Sequence, residues 1–220
     1  MSDLFSKLME INMVTWSILV YIAILCVISL VKGSKQKTST ISTKVLVYGG
    51  MCVALSFVLS YIRIFKMPYG GSVTLASMFP IILYALVFGP MAGITAGIAY
   101  GFLQLIQDPS VVHWAQLQLD YPLAFACLGL AGFAPKFSKN IKLGTTLGIL
   151  IAVFTRGTMH FLSGVIFFAE YAGEQPVMLY SLVYNASYLI PELIITLILA
   201  LIIISTPVYS QLKNSTLVQH

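Results

Sequence analysis

What most constrains this chain is a succession of apolar runs of membrane-crossing length, joined by short polar segments. About 20 apolar residues cross the hydrocarbon of a bilayer as a helix, because every backbone N–H and C=O there must be paired within the segment. Such runs occupy residues 14–31, 45–62, 74–88, 91–106, 117–134, 143–168 and 177–204, so seven spans are expected. Hydrophobic residues make up 59% of the 220 and charged residues only 9%, which leaves no room for a soluble domain of any size. The fold class that follows is all-α, a polytopic membrane helix bundle in the cell membrane, carrying no nucleotide-hydrolysing module of its own. The net charge of +5 does not point to nucleic acid, since the basic residues flank apolar runs, where membrane topology accounts for them.

Those basic residues set an orientation. Residues 32–44 carry Lys32, Lys35, Lys37 and Lys44 and no acid, which makes this linker the strongest cytoplasmic anchor. With it inside, Gly89-Pro90, the turn bearing Lys136, Lys139 and Lys142, and the tail with Lys213 fall inside too, collecting eight of the twelve basic residues. The N-terminus is then outside and the C-terminus cytoplasmic. Segments 63–72, 107–116 and 169–176 share the outer face, and the first, with Pro68, Gly70 and Gly71, reads as a loop that acts as a lid or simply turns the chain. Residues 14–31 read as a retained helix rather than a signal peptide, because the apolar stretch is long and acids precede it. The chain thus divides into an extra N-terminal transmembrane helix with its basic linker at 1–44, a six-helix membrane domain at 45–208, and a cytoplasmic tail at 209–220.

Polar groups within the spans carry the chemistry, since they are costly in hydrocarbon and normally face a cavity or a partner. Residues 156–185 place Arg156, His160 and Gly164 one helical turn apart, cross an acidic loop, and continue into a run with Tyr180 and Asn185. Asp120 opens an earlier span beside Tyr121 and Pro122, where it is either a helix N-cap or a ligand-facing carboxylate. Arg156 either pairs with a carboxylate such as Glu192 or snorkels toward the cytoplasmic side. Phe167 and Phe168 stack on a ring or fill the core, and Tyr184 and Tyr188 suit interfacial anchors. Gly93, Gly97 and Gly101 recur every four residues as a smooth stripe for close packing, with Tyr100 and Gln104 on a neighbouring edge. Gly50 and Ala54 form a small-xxx-small pair that serves ordinary packing or another subunit. Cys26, Cys52 and Cys127 lack metal-ligand or disulfide spacing, so no metal site is expected. Motifs of zinc proteolysis, serine hydrolysis and ATP hydrolysis are absent from the sequence. A carboxylate ringed by tyrosines and a histidine suits a planar, cationic, hydrogen-bonding ligand.

These residues carry a resemblance. From about Val45 onward the chain resembles the thiamine-specific S components of energy-coupling factor (ECF) transporters, the ThiT family. The matching features are the small-residue helix at 49–60, LDYPLAF at 119–125 followed by LGLAG at 128–132, R-x3-H-F-x2-G at 156–164, and YSLVYN at 180–185. The resemblance implies a six-helix S component, not an enzyme, that captures thiamine and needs no cofactor. It also implies docking on a module of two ATPase subunits and a transmembrane coupling subunit. Position by position, it makes Asp120 the acidic ligand with Tyr121 beside it, has His160 and Gly164 line the pocket, and gives Phe168 the stacking place. It makes Tyr180 and Asn185 the hydrogen-bonding pair for the aminopyrimidine, adds Tyr100, and gives Gly50 and Ala54 to coupling-subunit docking. The chain departs from family members that carry glutamate where Asp120 stands or tryptophan where Phe168 stands, and residues 14–31 are additional. An S component for another vitamin or precursor, or an intramembrane enzyme using His160 and Asp120 as acid and base, are the alternative readings.

Overall fold

The computed structural model describes residues 43–217 apart from residue 69, so the expected first span at 14–31 lies outside the described residues. Seven helices are seen among them when the interrupted path Trp114–Phe137 is taken as one. They are α1 (Thr43–Tyr61), α2 (Phe79–Phe88), α3 (Pro90–Gln107), α4 (Trp114–Phe137), α5 (Ile141–Phe167), α6 (Val177–Ile204) and α7 (Pro207–Leu217). Of these, α1, α4, α5 and α6 are long and apolar enough to cross a membrane. The chain is a multi-pass, all-α membrane protein.

Two expectations need correcting. The span expected at 74–88 begins only at Phe79, because Ser72–Thr74 is a strand. The ten residues of α2, rising about 1.5 Å each, reach roughly half the hydrocarbon thickness of a bilayer. The segment expected to be an open loop at 63–72 is a β-hairpin in which β1 (Arg63–Lys66) pairs antiparallel with β2 (Ser72–Thr74). Its register is Arg63 with Thr74, Phe65 with Val73 and Lys66 with Ser72, with an irregularity between Arg63 and Phe65. The reversal uses Gly70 and Gly71 at φ +100° and +82°, a region open to glycine and strained for other residues. The polar tail likewise has more structure than expected. It folds into α7, which buries Tyr209 and brings its hydroxyl within 3.4 Å of the Leu86 carbonyl.

The glycine stripe of α3 packs against α4, backbone on backbone. A Cβ on Gly97 would lie 2.2 Å from the Phe125 carbonyl oxygen, and one on Gly101 would lie 2.7 Å from that of Tyr121. Gly129 of α4 meets the backbone of Gly93 and Ile94 in the same way. This closeness shapes α4. Its N-terminus is capped by His113, whose Nδ1 accepts from the Ala115 N–H at 3.1 Å, and the helix widens into a π turn at Leu119–Leu123 that houses Pro122. Asp120 therefore lies inside a helix and not at its N-cap, which removes the capping reading. A widened turn also accommodates the N–H that proline lacks, and such turns recur at functional sites.

Helix α1 buries only Gly49, Ser56 and Ser60. A Cβ on Gly50 would meet nothing within 4 Å, and Ala54 is exposed, so neither serves packing among the described residues. Polar bonds tie α1 to α3, with Ser60 Oγ donating to Gln107 Oε1 at 2.7 Å and Gln104 Nε2 donating to Ser60 Oγ at 2.9 Å.

The hairpin is tied to the outer end of α3 by charge. Asp108 Oδ2 lies 3.0 Å from Arg63 Nη1 and 3.0 Å from Lys66 Nζ. Burial pushes the Asp108 carboxyl up, but the bonds and charges of Lys66 and Arg63 outweigh it, leaving the carboxyl below its ordinary value. The tie is thus complete above the unfolded-chain value, about 3.9 for aspartate, and is lost as pH falls through the lowered folded value.

Two outcomes follow from this packing. In detergent, Gly97→Ala is expected to lower thermal stability by about 2 kcal/mol through backbone overpacking, whereas Gly50→Ala leaves the unfolding midpoint unchanged. Asp108→Asn at neutral pH is expected to speed amide exchange in β1 while changing global stability by less than about 1 kcal/mol, since the pair is half exposed. Acidification of the parent protein through the lowered folded value of Asp108, below the ordinary carboxylate range, should reproduce that local loosening.

Candidate binding site

A cavity of about 430 Å³ opens between the hairpin and helices α3 to α6. Its rim takes Arg63 and Lys66 from the hairpin, Asp108 and Ser110 from the α3–α4 connection, and Tyr171 from the short turn after α5. The three segments expected on one face therefore meet around a single opening. Asp120, Tyr121, His160, Gly164, Phe168, Tyr180 and Asn185 all line it. Tyr100 does not. It is fully buried, edge-on to Phe125 at 4.8 Å between ring centroids, so it supports a wall residue from behind.

Asp120 anchors the polar side. Its Oδ2 accepts from Gln116 Nε2 at 2.7 Å and from Ser163 Oγ at 2.6 Å, and its Oδ1 lies 3.0 Å from His160 Nδ1. The histidine tautomer follows from the network. Arg156 Nε, which can only donate, points at His160 Nε2 from 3.3 Å, so Nε2 accepts and Nδ1 carries the proton toward Asp120. Three donors on an acceptor-only carboxylate hold its charge within the bundle, and the side chain remains 18% exposed to the cavity. The tyrosine beside it is spoken for at its polar end. Tyr121 Oη donates to the Asp108 carbonyl at 2.9 Å and accepts from the Ser110 N–H at 2.9 Å, leaving the ring as its contribution.

Arg156 follows neither of the two readings offered by the sequence. It is buried rather than snorkelling, and its guanidinium lies 4.3 Å from the centroid of the Phe125 ring. No ion pair with Glu192 is formed among the described residues; Glu192 instead accepts from both the N–H and the hydroxyl of Thr74. Gly164 sets the spacing of α5 and α6, because a Cβ there would lie 2.2 Å from Ser181 Oγ. Ser181 Oγ in turn donates to the Phe161 carbonyl at 3.0 Å. Phe168 sits at the end of α5, tilted against Tyr171 at 5.9 Å, while Phe167 stacks on His113 at 5.1 Å and lies outside the lining.

Asn185 is oriented by its own helix. Its Nδ2 donates to the Ser181 carbonyl at 2.9 Å, and its Oδ1 accepts from Tyr188 Oη at 2.7 Å. Tyr184 and Tyr188 are thus not interfacial anchors. Tyr188 is buried, and Tyr184 Oη donates to the Gly70 carbonyl of the hairpin at 2.8 Å. The sequence does not single out Gln116, Ser163, Ser181, Thr74 or Ser77 for this lining. Serines spaced along apolar helices look like small packing residues, and only Gln116, four residues before Asp120, carries a helical-spacing signal.

Comparison with known proteins bears on the family and the fold. A family model described as "Thiamine transporter protein (Thia_YuaJ)" matches residues 46–212. The thiamine transporter ThiT of Bacillus subtilis (strain 168) is 38% identical over 154 residues, covering 64% of this chain and 80% of that protein. ThiT of Lacticaseibacillus paracasei is 30% identical over 135 residues, covering 55% and 67%. Among solved structures, ThiT from Listeria monocytogenes superposes with a TM-score of 0.65 at 24% identity, covering 75% of this chain and 96% of that one. A structure described as the S component of a bacterial ECF transporter gives 0.52 at 22% identity, covering 71% and 93%. The structural likenesses speak for the fold, and the family match spans three-quarters of the sequence. The chain belongs to the thiamine transporter protein family.

Proposed function

We propose that this chain is the high-affinity thiamine-binding S component of an ECF-type vitamin uptake transporter, energised by separate ATPase subunits. The observation that carries the reading is Asp120, a carboxylate facing a cavity lined with aromatic rings. Thiamine is a planar cation bearing an aminopyrimidine. A fixed carboxylate answers its positive charge, aromatic faces answer its rings, and an amide answers its ring nitrogens. The cavity volume of about 430 Å³ falls in the range of small-molecule sites.

Roles follow from position. Asp120 supplies the charge, and His160, Ser163 and Gln116 hold it. Phe168 supplies a stacking face, with the Tyr121 ring as a wall. Tyr180 and Asn185 bond the aminopyrimidine, and Gly164 keeps α5 and α6 close enough for both to reach one ligand. Tyr100 acts from behind Phe125. The exposed Gly50 and Ala54 on α1 offer a flat surface to the transmembrane coupling subunit, whose module of two ATPases supplies the energy this sequence lacks motifs for. The cavity mouth faces outward and the C-terminus is cytoplasmic, as the lysine distribution favours. His160 and Asp120 at 3.0 Å are also the couple an intramembrane enzyme would need, and in this proposal they bind rather than catalyse.

The expected outcome is saturable thiamine binding by the purified protein, read by calorimetry or by fluorescence titration. Asp120→Ala and Asn185→Ala are each expected to weaken it about 10- to 100-fold, the size of a lost hydrogen bond to a charged or buried group. Unchanged affinity in both variants overturns the site. Tighter binding of riboflavin, biotin or another vitamin than of thiamine overturns the ligand, and product formation without partner subunits favours an enzyme.

A further inference from the structure

Besides Ser187, whose hydroxyl lies 3.6 Å from Met67 Sδ, helix α6 holds the hairpin by three side chains spaced one turn apart. Tyr184 donates to the Gly70 carbonyl at 2.8 Å. Tyr188 packs beneath Gly71, where a Cβ would lie 2.7 Å from its ring, so only glycine lets the strand settle there. Glu192, 3% exposed in mid-helix, accepts from the backbone N–H and the hydroxyl of Thr74 at the end of β2. A hydroxyl has one proton. With that of Thr74 given to Glu192, its oxygen accepts from the Ser77 N–H at 3.1 Å and from the Ser77 hydroxyl at 2.8 Å. The carboxylate therefore organises the whole turn between β2 and α2.

The same helix also faces the ligand. Tyr188, the middle rung, bonds Asn185, and Tyr184, Asn185, Tyr188 and Glu192 all line the cavity. Of the three rungs, Glu192 is the one placed to resist lifting of β2. Tyr184 bonds a backbone carbonyl and Tyr188 packs against the hairpin through its ring, whereas Glu192 takes two donors from one residue of β2 inside a buried setting, where leaving those donors unpaired is costly. A carboxylate in mid-span is costly, and its other oxygen, Oε2, has no partner among the described residues.

We propose that Glu192 is a positioning residue for ligand binding: by holding Thr74 it fixes β2 against α6, keeps Gly70 and Gly71 over the cavity, and thereby sets how long a bound ligand stays. The ligand part of this rests on the thiamine reading above, while the anchoring of the hairpin does not. The role belongs to hydrogen-bond acceptance rather than to charge, because Thr74 is the bonded partner and no ion pair with Arg156 is formed among the described residues.

Two measurements on the full chain in detergent test it. Without ligand, Glu192→Ala should speed amide exchange over β1 and β2 about tenfold or more, with α4 and α5 unchanged, while Glu192→Gln, which keeps an acceptor oxygen, stays within about twofold of the parent. With radiolabelled thiamine and an unlabelled chase, Glu192→Ala should raise the dissociation rate about tenfold and leave the association rate within about threefold, and Glu192→Gln should again resemble the parent. Exchange that is unchanged in the hairpin, or that accelerates uniformly over the bundle, overturns the anchor. A loosened hairpin with an unchanged dissociation rate overturns the effect on ligand lifetime. A loosened hairpin in a protein whose parent form binds no thiamine supports the anchor and overturns the thiamine reading alone.

Discussion

A carboxylate inside a membrane bundle persists only if other groups take over the work of water, and the arrangement around Asp120 is organised by that requirement. Its three donors come from two helices. Gln116 is one turn earlier on α4, and His160 and Ser163 are on α5. Asp120 itself lies in the π turn that houses Pro122. That turn is seated by Gly101 of α3, whose missing side chain lets the backbone of Tyr121 and Pro122 approach. The packing stripe and the cavity-lining carboxylate are consequently one structural unit, although they lie on different helices. Arg156 extends it inward by fixing the histidine tautomer and lying over Phe125, so that the positive group orients the site without neutralising Asp120 directly.

The second organising element is α6. One set of its side chains, with Ser181 beneath Gly164, defines how near α5 comes. Another, Tyr184, Tyr188 and Glu192, defines where the hairpin rests. Because Tyr188 also bonds Asn185, the position of the hairpin and the orientation of a cavity-lining amide are set by the same side chain. The outer side of the hairpin is held more loosely, by ion pairs to Asp108 that are half exposed and hence screened by solvent. The hairpin is thus firm at its base near Thr74 and weaker at its rim, the order of stability expected of a cover over a binding cavity.

Much of the site was legible because burial of polar groups in hydrocarbon is rare enough to be informative. Asp120, His160, Tyr180 and Asn185 stand out in apolar runs, and all four line the cavity. The helical spacing of Arg156, His160 and Gly164 correctly placed them on one face, and the Gly93, Gly97, Gly101 stripe packs as its period implies. Other residues were obscure for physical reasons. Tyr100 shares the side of α3 that faces the cavity, but Phe125 lies in front of it, and nothing in a linear pattern records what stands between a side chain and a void. The hairpin was hidden because strands of four and three residues leave too short an alternation to separate from a loop. Glu192 was visible as an intramembrane acid, yet the sequence suggested Arg156 as its partner, since opposite charges attract the eye more than a backbone amide 118 residues away.

The class of protein, the order of its helices, the glycine stripe and the small set of polar residues that have to meet inside the membrane are all written in the linear chain. They can be read there because a bilayer admits few backbone forms and makes unpaired polar groups costly, so composition along the chain already restricts the structure. Which polar groups meet is settled in three dimensions alone. Asp120 receives Ser163 and His160, Glu192 receives Thr74 and not Arg156, and Asn185 is oriented by Tyr188. Apart from that last pair, a single helical turn apart, these bonds join distant segments, and hydrogen bonds have short, directional reach. A shift of one turn in any helix would exchange the partners while leaving the hydrophobic pattern of the sequence intact.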